Sequence, residues 1–489
     1  MEYILSIDIG TSSVKGALFD SGGREIALSV CEYDLEKRGF DIVELDPEIY
    51  WSSTKEVIEN IRAASLGCFE NISAVGVTSQ GETLISLDRD GLPVRKAIVW
   101  LDGRARDEAD EIASVFGADE LRRVTGQQEA SACCTACIIL WLRKNEPENF
   151  ARTAKFLLVE DYIIYKLSGR FASDFALYPS TLCINISSGK WWDEMLNFIG
   201  VSETLFPELH ISGSPIGHIA TPELGLNSEC RVCVAPIDQI AGAVGAGNIA
   251  PGMITETTGT AMAVCASVDK FICDSKHGAS LFRHAIKDVY ALLPWAPASG
   301  IILRWFRDEF CKDMNYSDMD KAAAGILPGS EGLIVLPHFN GVVCPASLPE
   351  ARGVFWGLSL SHKREHFIRA IMEAVAFLLK DYLQILENIG IDGEEVFSIG
   401  GASRSEVWMQ IKADVLDKKI YAMECEETTC LGAAILAAVG CGLYDNLNEA
   451  VKHMTKTRKC FVPNPENVKK YKIVYNKYLK INETLKTIY

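Results

Sequence analysis

The chain has no run of about 20 apolar residues, so nothing in it reads as a membrane span. Its start, Glu2-Tyr3-Ile4, passes directly from an acidic residue into an apolar pattern. With no basic leading stretch and no cleavage site, no secretory signal is expected. Basic residues are in deficit. The chain has 48 Lys and Arg against 65 Asp and Glu, a formal net charge of -17. Nucleic acid and anionic membranes need basic patches, so neither is expected as a partner. An anionic small molecule stays open, because a local cluster of cations can override the global field. Cysteine is not scarce, but the 16 residues are scattered, mostly within apolar runs (Cys183, Cys230, Cys233, Cys265, Cys441), and read as small core side chains. Without an export signal no disulfide framework is expected, and the expected compartment is the cytoplasm. Cys133-Cys134-x-x-Cys137 has half the spacing of a zinc site, but no second pair stands nearby.

At 489 residues the chain exceeds what one core of about 250–300 residues accommodates, so two domains are expected. The first 35 residues read as three strands joined by turns, with Asp20-Ser21-Gly22-Gly23 as a hairpin turn. Asp46-Pro47 reads as an N-cap followed by proline at the first helical position; Trp51, Thr54, Val57, Ile58 and Ile61 continue at helical spacing. Strands are expected at 72–78, 84–87 and 97–101, and an acidic helix opening at Arg104. The alternation favours an α/β layered fold. The character shifts near residue 247. A small-residue helix from Ile240 to Gly247 gives way to Asn248-Ile249-Ala250-Pro251-Gly252, a break expected to act in a hinge. Strands and helices then repeat, with a long helix at 366–389 and a strand at 396–399. The expected boundaries are 1–247, 248–445 and a helical tail at 446–489.

Two segments half a chain apart resemble each other. Ile7-Asp8-Ile9-Gly10-Thr11-Ser12-Ser13-Val14-Lys15 and Thr257-Thr258-Gly259-Thr260 are glycine and hydroxyl turns between apolar runs. Glycine lets a phosphate approach backbone N–H groups; hydroxyls add donors, and Lys15 adds charge. Facing each other, two such turns could hold a polyphosphate tail, and their matching positions suggest an old duplication. Asp8, a carboxylate beside a phosphate turn, needs a partner, for which Mg²⁺ is the usual ion. Asp238 follows the buried strand 232–235 and precedes a helix. It reads equally as a helix cap or as an ionised carboxylate that accepts a substrate proton or positions a metal. Gly400-Gly401-Ala402-Ser403-Arg404-Ser405 leaves a strand and enters a helix, where paired glycines permit close approach of a ring or ribose.

The ordered set Asp8-x-Gly10-Thr11-Ser12-Ser13-x-Lys15, Trp100-x-Asp102-Gly103-Arg104, Asp238-Gln239, Thr258-Gly259-Thr260, Pro337, Ala351-Arg352-Gly353-Val354-Phe355-x-Gly357-Leu358 and Gly400-Gly401-Ala402 resembles the FGGY carbohydrate kinases over almost the whole chain. The resemblance implies two ribonuclease H-like domains of the actin and hexokinase superfamily with a cleft between them. The first would bind sugar and the second nucleotide. It implies transfer of the ATP γ-phosphate to a hydroxyl, with Mg²⁺. Asp238 would be the general base, and Asp8 with Asp238 would stand near the metal. Gly10, Thr11, Ser12, Ser13 and Lys15, with Gly259 and Thr260, would hold phosphates. Gly300, Gly401, Ala402 and Ser405 would hold the adenosine. Gln80, Glu82, Trp100, Asp102 and Gln239 would surround the sugar.

Departures bear on the substrate. Xylulokinases show Gln-Met-His-Gly where this chain has Gln80-Gly81-Glu82-Thr83. Glycerol kinases show Asn-Gln-Arg-Glu-Thr, so Gly81 stands in place of an arginine. Ile138 replaces a common lysine, and Gly341 to Pro345 departs from Gly-Glu-Arg-Thr-Pro. The expected substrate is a small neutral sugar or polyol, a ketopentose such as xylulose before glycerol or another polyol. An aldonate is disfavoured because Arg104, the cation in that stretch, can pair with Asp102. A non-catalytic sensor on the same scaffold is the competing class; it would favour loss of Asp238 or a basic DNA-binding segment. A homodimer is an assembly the sequence leaves open.

Overall fold

Each half of the chain opens with the same device, an antiparallel hairpin whose first strand also pairs in parallel with a later one. The computed structural model describes all residues except Met1, Phe40, Leu66, 273–277, Ala346 and 487–489. In the first half β1 (Tyr3–Ile9) pairs antiparallel with β2 (Ser13–Asp20), which pairs with β3 (Glu25–Glu32). On its other side β1 runs parallel to β4 (Ile72–Ser79). With β5 (Pro215–His218) and β6 (Arg231–Val234) the sheet order is β5-β6-β4-β1-β2-β3. In the second half β7 (Ile254–Thr258) pairs antiparallel with β8 (Met262–Val268). The sheet also holds β9 (Ser280–Arg283), β10 (Tyr290–Leu293), β11 (Glu395–Ile399), β12 (Lys419–Met423) and β13 (Thr457–Phe461), in the order β9-β10-β8-β7-β11-β12-β13. Here β7 runs parallel to β11, and β11 to β12. This is the expected α/β architecture with one mixed sheet in each half, and the two glycine turns occupy equivalent hairpins.

Helices cover both faces of the sheets, so central strands are apolar on both sides. Ile4, Leu5, Ile7 and Ile9 of β1 are all fully buried. On one face lies α1 (Pro47–Ala64), capped by Asp46, whose side chain accepts from Glu48 N at 3.0 Å. The other face is covered by a helix from far along the chain. Of the later helices, those that bear on the site and its support are α2 (Asp238–Gly245), α3 (Gly300–Phe310), α4 (Arg364–Asn388), α5 (Glu406–Leu416), α6 (Thr428–Gly440), α7 (Leu447–Met454) and α8 (Pro465–Leu485). Cys430, Ala433, Ala434 and Ala437 of α6, with Ala450 and Met454 of α7, pack on Ile4, Ala17, Phe19 and Ala74 of the first sheet. Small residues let α6 lie this close: a Cβ on Gly76 of β4 would stand 2.4 Å from the Ala433 carbonyl oxygen.

α6 also crosses α2 on glycines from both sides. A Cβ on Gly245 would be 1.9 Å from the Thr428 carbonyl oxygen, and one on Gly432 would be 1.8 Å from that of Ala241. No side chain fits, so the helix backbones touch. The contact fixes Asp238, the first residue of α2, relative to the start of α6.

Several boundaries differ from the sequence pattern. The strand expected over 97–101 is only Ala97–Ile98, because the chain turns at Trp100 to carry its indole to the first glycine turn. The acidic helix opens at Arg106, since Arg104 is held back by Asp102. α2 starts two residues earlier than expected, so Asp238 lies inside the helix and Ile237 takes the cap position. Asn248 is buried in the expected hinge segment and tied to the second sheet: its amide donates to Cys265 O at 3.1 Å and accepts from Ser267 Oγ at 2.7 Å. After residue 445 the chain supplies an edge strand, β13, as well as helices, and the last three residues of the expected final helix lie outside the described ones. Among the described residues no helix is long and apolar enough to cross a membrane.

The helix crossing gives a direct stability test. Gly432→Ala places a methyl group inside the van der Waals shell of a backbone carbonyl, and overpacking of that kind costs roughly 2–3 kcal/mol. Thermal unfolding should show a clear fall in melting temperature; an unchanged value would mean that the crossing is not close-packed.

Candidate active site

The two hairpins that carry the glycine turns line one cavity, the first through Asp8 and Lys15 and the second through Thr257. In the first, Gly10 N donates to Ser13 O at 2.9 Å, and the register sets Asp8 opposite Lys15. In the second, Gly259 N donates to Ala261 O at 3.0 Å. Neither glycine has a positive φ, so backbone strain does not demand them. Space distinguishes the two. A Cβ on Gly10 would sit a tight 3.3 Å from Ser13 O, whereas on Gly259 the nearest atom would be 3.9 Å away. Gly259 therefore has open space beside it. Behind it, Gly300 starts α3 against the turn, where a Cβ would lie 2.5 Å from Gly259 O. Beneath it lies a fully buried ion pair, Lys412 Nζ to Glu256 at 2.5 Å, and Thr258 Oγ1 donates to the same carboxylate at 2.8 Å. Ser398 Oγ also donates to Glu256. This network holds β7, β11 and α5 together under the turn.

Gly400 and Gly401 border the cleft from the second half. Gly400 has φ +79°, in the left-handed region that favours glycine, and a Cβ on Gly401 would meet nothing within 4 Å. Ala402 is buried against the second core. Ser405 caps α5, accepting from Trp408 N at 3.0 Å, and donates to Asp320 at 2.7 Å, so its hydroxyl is engaged within the protein. Between the halves lies a cavity of about 360 Å³. Asp8 and Lys15 form one wall and Thr257, Gly400, Gly401 and Arg404 the other; Glu426, Glu427, Thr428 and Thr429 close it at the start of α6. Lys15 Nζ lies 2.6 Å from Glu427 Oε2. Burial alone would lower the Lys15 pKa, but the bond to Glu427 and the charge of Asp8 carry it above the ordinary lysine value. Arg404, Glu426 and Glu427 were not singled out from sequence. Arg404 belongs to the glycine segment before α5, Glu426 and Glu427 have as local signal only the polar start of a small-residue helix, and Glu427 meets Lys15 across 412 positions.

Three carboxyl groups have raised pKa values here, and two of them, Asp8 and Glu82, act on the third, Asp238. Burial, the negative charge of Asp8 and that of Glu82 push Asp238 up to about 8, although Gln239 N donates to Asp238 Oδ1 at 2.7 Å. Burial pushes Asp8 up to about 6 against the pull of Lys15, and its Oδ1 is buried without a partner. Burial also raises Glu82, whose backbone is left-handed at φ +61°, a strained conformation for a residue with a side chain. Asp8 thus acts electrostatically on Lys15 and on Asp238, linking the cavity to the acid group behind it.

The remaining expected sugar contacts divide into two sets. Thr11 Oγ1 donates to Gln80 Oε1 at 3.1 Å and accepts from the Trp100 indole at 2.9 Å, so Thr11 joins the Gln80 and Trp100 side rather than presenting a free phosphate donor. The Gln80 Nε2 is buried and unpaired. Asp102 is saturated. Its Oδ1 accepts from Arg104 N and Nε at 2.9 and 2.8 Å, and its Oδ2 from Val43 N and Arg104 Nη2 at 2.6 and 2.8 Å. Where a hydroxyl acceptor was expected, Asp102 instead anchors Arg104, which also reaches Glu44 at 2.8 Å.

Family models agree with this geometry. The N-terminal domain model of the FGGY family of carbohydrate kinases matches residues 3–245, and the C-terminal domain model matches residues 257–441. The chain is 30% identical over 487 residues to a xylulose kinase of Bacillus subtilis, covering 98% of this chain and 97% of that one. It is 30% identical over 480 residues to a glycerol kinase of Thermococcus gammatolerans, covering 97% and 96%. Among solved structures, a gluconate kinase from Lactobacillus acidophilus superposes with a TM-score of 0.90 at 26% identity, covering 99% and 98%.

Gly259 and Gly401 offer the cleanest test of the cleft, because both have room for a side chain on the protein side. Gly259→Val and Gly401→Val should leave the melting temperature unchanged yet weaken ADP binding by about tenfold or more, as a side chain enters the space a ligand needs. Calorimetry with ADP reads this; unchanged affinity in both variants would leave only two ordinary turns.

Proposed function

The chain belongs to the FGGY family of carbohydrate kinases and is an ATP-dependent phosphotransferase with an alcohol acceptor; we propose that its acceptor is a small neutral sugar or polyol, a ketopentose such as xylulose first. One observation carries the choice. Arg104, the cation of the expected sugar-side stretch, is committed to Asp102 and Glu44 and so is not free to meet a carboxylate beside Asp238 and Glu82. A hydroxyl donor suits such a pocket; the carboxylate of an aldonate would be repelled. Similarity to a xylulose kinase supports the same reading. Glycerol is less well served. Gly81 stands where glycerol kinases carry arginine, and even a Cβ there would lie 2.9 Å from Ile237 Cδ1.

In this reading Asp238 is the general base. Its Oδ1 is steadied by Gln239 N, leaving Oδ2 to accept the proton of the attacking hydroxyl. A carboxylate whose pKa is lifted by burial is a stronger base than an exposed one, and its value lies near working pH. Gln80, held by Thr11, and Trp100, held by its indole and by Thr83, form the fixed wall against which the acceptor lies. Lys15, Gly259 and Thr260 bracket the polyphosphate. Asp8 and Asp238 would hold Mg²⁺ through water. The orphaned Asp8 Oδ1 fits that role, and the ion supplies neutralisation of phosphate charge. Positioning and charge neutralisation then provide most of the rate, as phosphoryl transfer requires.

Asp238→Asn should retain ADP binding and lose turnover by about 10²–10⁴. For the wild type, kcat/KM should rise with pH through the neutral range toward about 8, because the base must be ionised and burial holds its pKa up. A variant with near wild-type turnover would remove the base assignment. Glu82→Ala should raise KM for the true acceptor by about tenfold or more, since a site built on a hydroxyl loses discrimination with its acceptor group.

A further inference from the structure

The cavity between the domains has an unusual charge balance for a polyphosphate site. Its wall carries two cations, Lys15 and Arg404, and three carboxylates, Asp8, Glu426 and Glu427. Both cations are already paired, Lys15 with Glu427 at 2.6 Å and Arg404 with Glu426. The Lys15 pair is the more sheltered, with side-chain exposures of 35% and 18%. Glu427 holds the N-cap position of α6 but does not cap it; its carboxylate turns to Lys15 instead. A free nucleotide entering here meets a wall that is negative by one charge, with no cation unspent.

We propose that Glu427 is a positioning residue that makes nucleotide binding depend on a divalent cation. It holds the Lys15 ammonium at the cavity wall beside Asp8 and neutralises it, so a polyphosphate alone gains little from Lys15 and is repelled by Asp8 and Glu427. A nucleotide that carries its own cation brings the missing positive charge, which the free oxygen of Asp8 and the carboxylate of Glu427 can face through water. Lys15 then remains fixed for the phosphates. The α2–α6 contact makes the arrangement rigid, because Glu427 directly precedes the helix that Gly245 and Gly432 lock in place. This inference rests on the cavity being the nucleotide site.

The test is calorimetry with ADP, once with Mg²⁺ and once with a chelator. Wild-type protein should bind ADP at least about tenfold more weakly without the cation. Glu427→Gln keeps shape and removes the charge; it should tighten metal-free ADP binding by about tenfold or more and narrow the gap, as expected for loss of one carboxylate at close range. Glu427→Ala should behave alike. Adding Lys15→Met to Glu427→Gln should cancel the gain, because the gain comes from the freed ammonium. Metal-free affinity that is unchanged or weaker in both single variants would overturn the inference, and so would a gain that survives loss of Lys15. Failure of the wild type to bind ADP under either condition would instead overturn the nucleotide reading of the cavity, and this inference with it.

Discussion

The helix crossing of α2 on α6 is the constraint on which the site depends. Gly245 and Gly432 let two backbones touch where any side chain would hold them apart. One helix begins with Asp238; the other begins behind Glu427 and lies on the first sheet although it comes from the far end of the chain. The proposed base and the start of α6 are therefore set by a single rigid contact. The hairpin strands of the two sheets then contribute Asp8, Lys15 and Thr257 to one cavity, closed by the start of α6.

Charge is the second organising feature. A chain with a net charge of -17 could bind phosphates only where cations are concentrated, yet the cations of this cleft are all neutralised by neighbouring acids. Burial raises the pKa of Asp8, Glu82 and Asp238, and the charges of the first two raise that of Asp238 further. Such a site stores unfavourable electrostatics that the proposed ligands would relieve: hydroxyl donors on the acceptor side, and a cation with the nucleotide. The same logic removes Arg104 from the acceptor side, since its charge is used within the fold by Asp102 and Glu44.

Much of this was legible in the chain. Glycine turns flanked by apolar runs mark β1–β2 and β7–β8, because period and turn chemistry are local properties. Asp238 could be placed between a strand and a helix for the same reason, although not that it lies inside the helix. What could not be read was pairing at a distance. Nothing near Lys15 points to Glu427, 412 positions away. Asp102 looked like a free acceptor because the backbone N–H of Val43, which helps saturate it, comes from a strand 59 residues earlier. Thr11 looked like a phosphate donor until Trp100 turned back to bond it. In each case the residue type was informative, and its use was decided by a partner that only the fold supplies.

The central claim is that this cleft phosphorylates a neutral polyhydroxy acceptor. It is tested most directly by coupled ADP release from the full-length protein with ATP and Mg²⁺, over a panel of ketopentoses, other neutral sugars, polyols and aldonates. The account predicts turnover with a neutral ketose or polyol, a ketopentose foremost, and little with gluconate. Efficient turnover of gluconate with none of any neutral acceptor would contradict it.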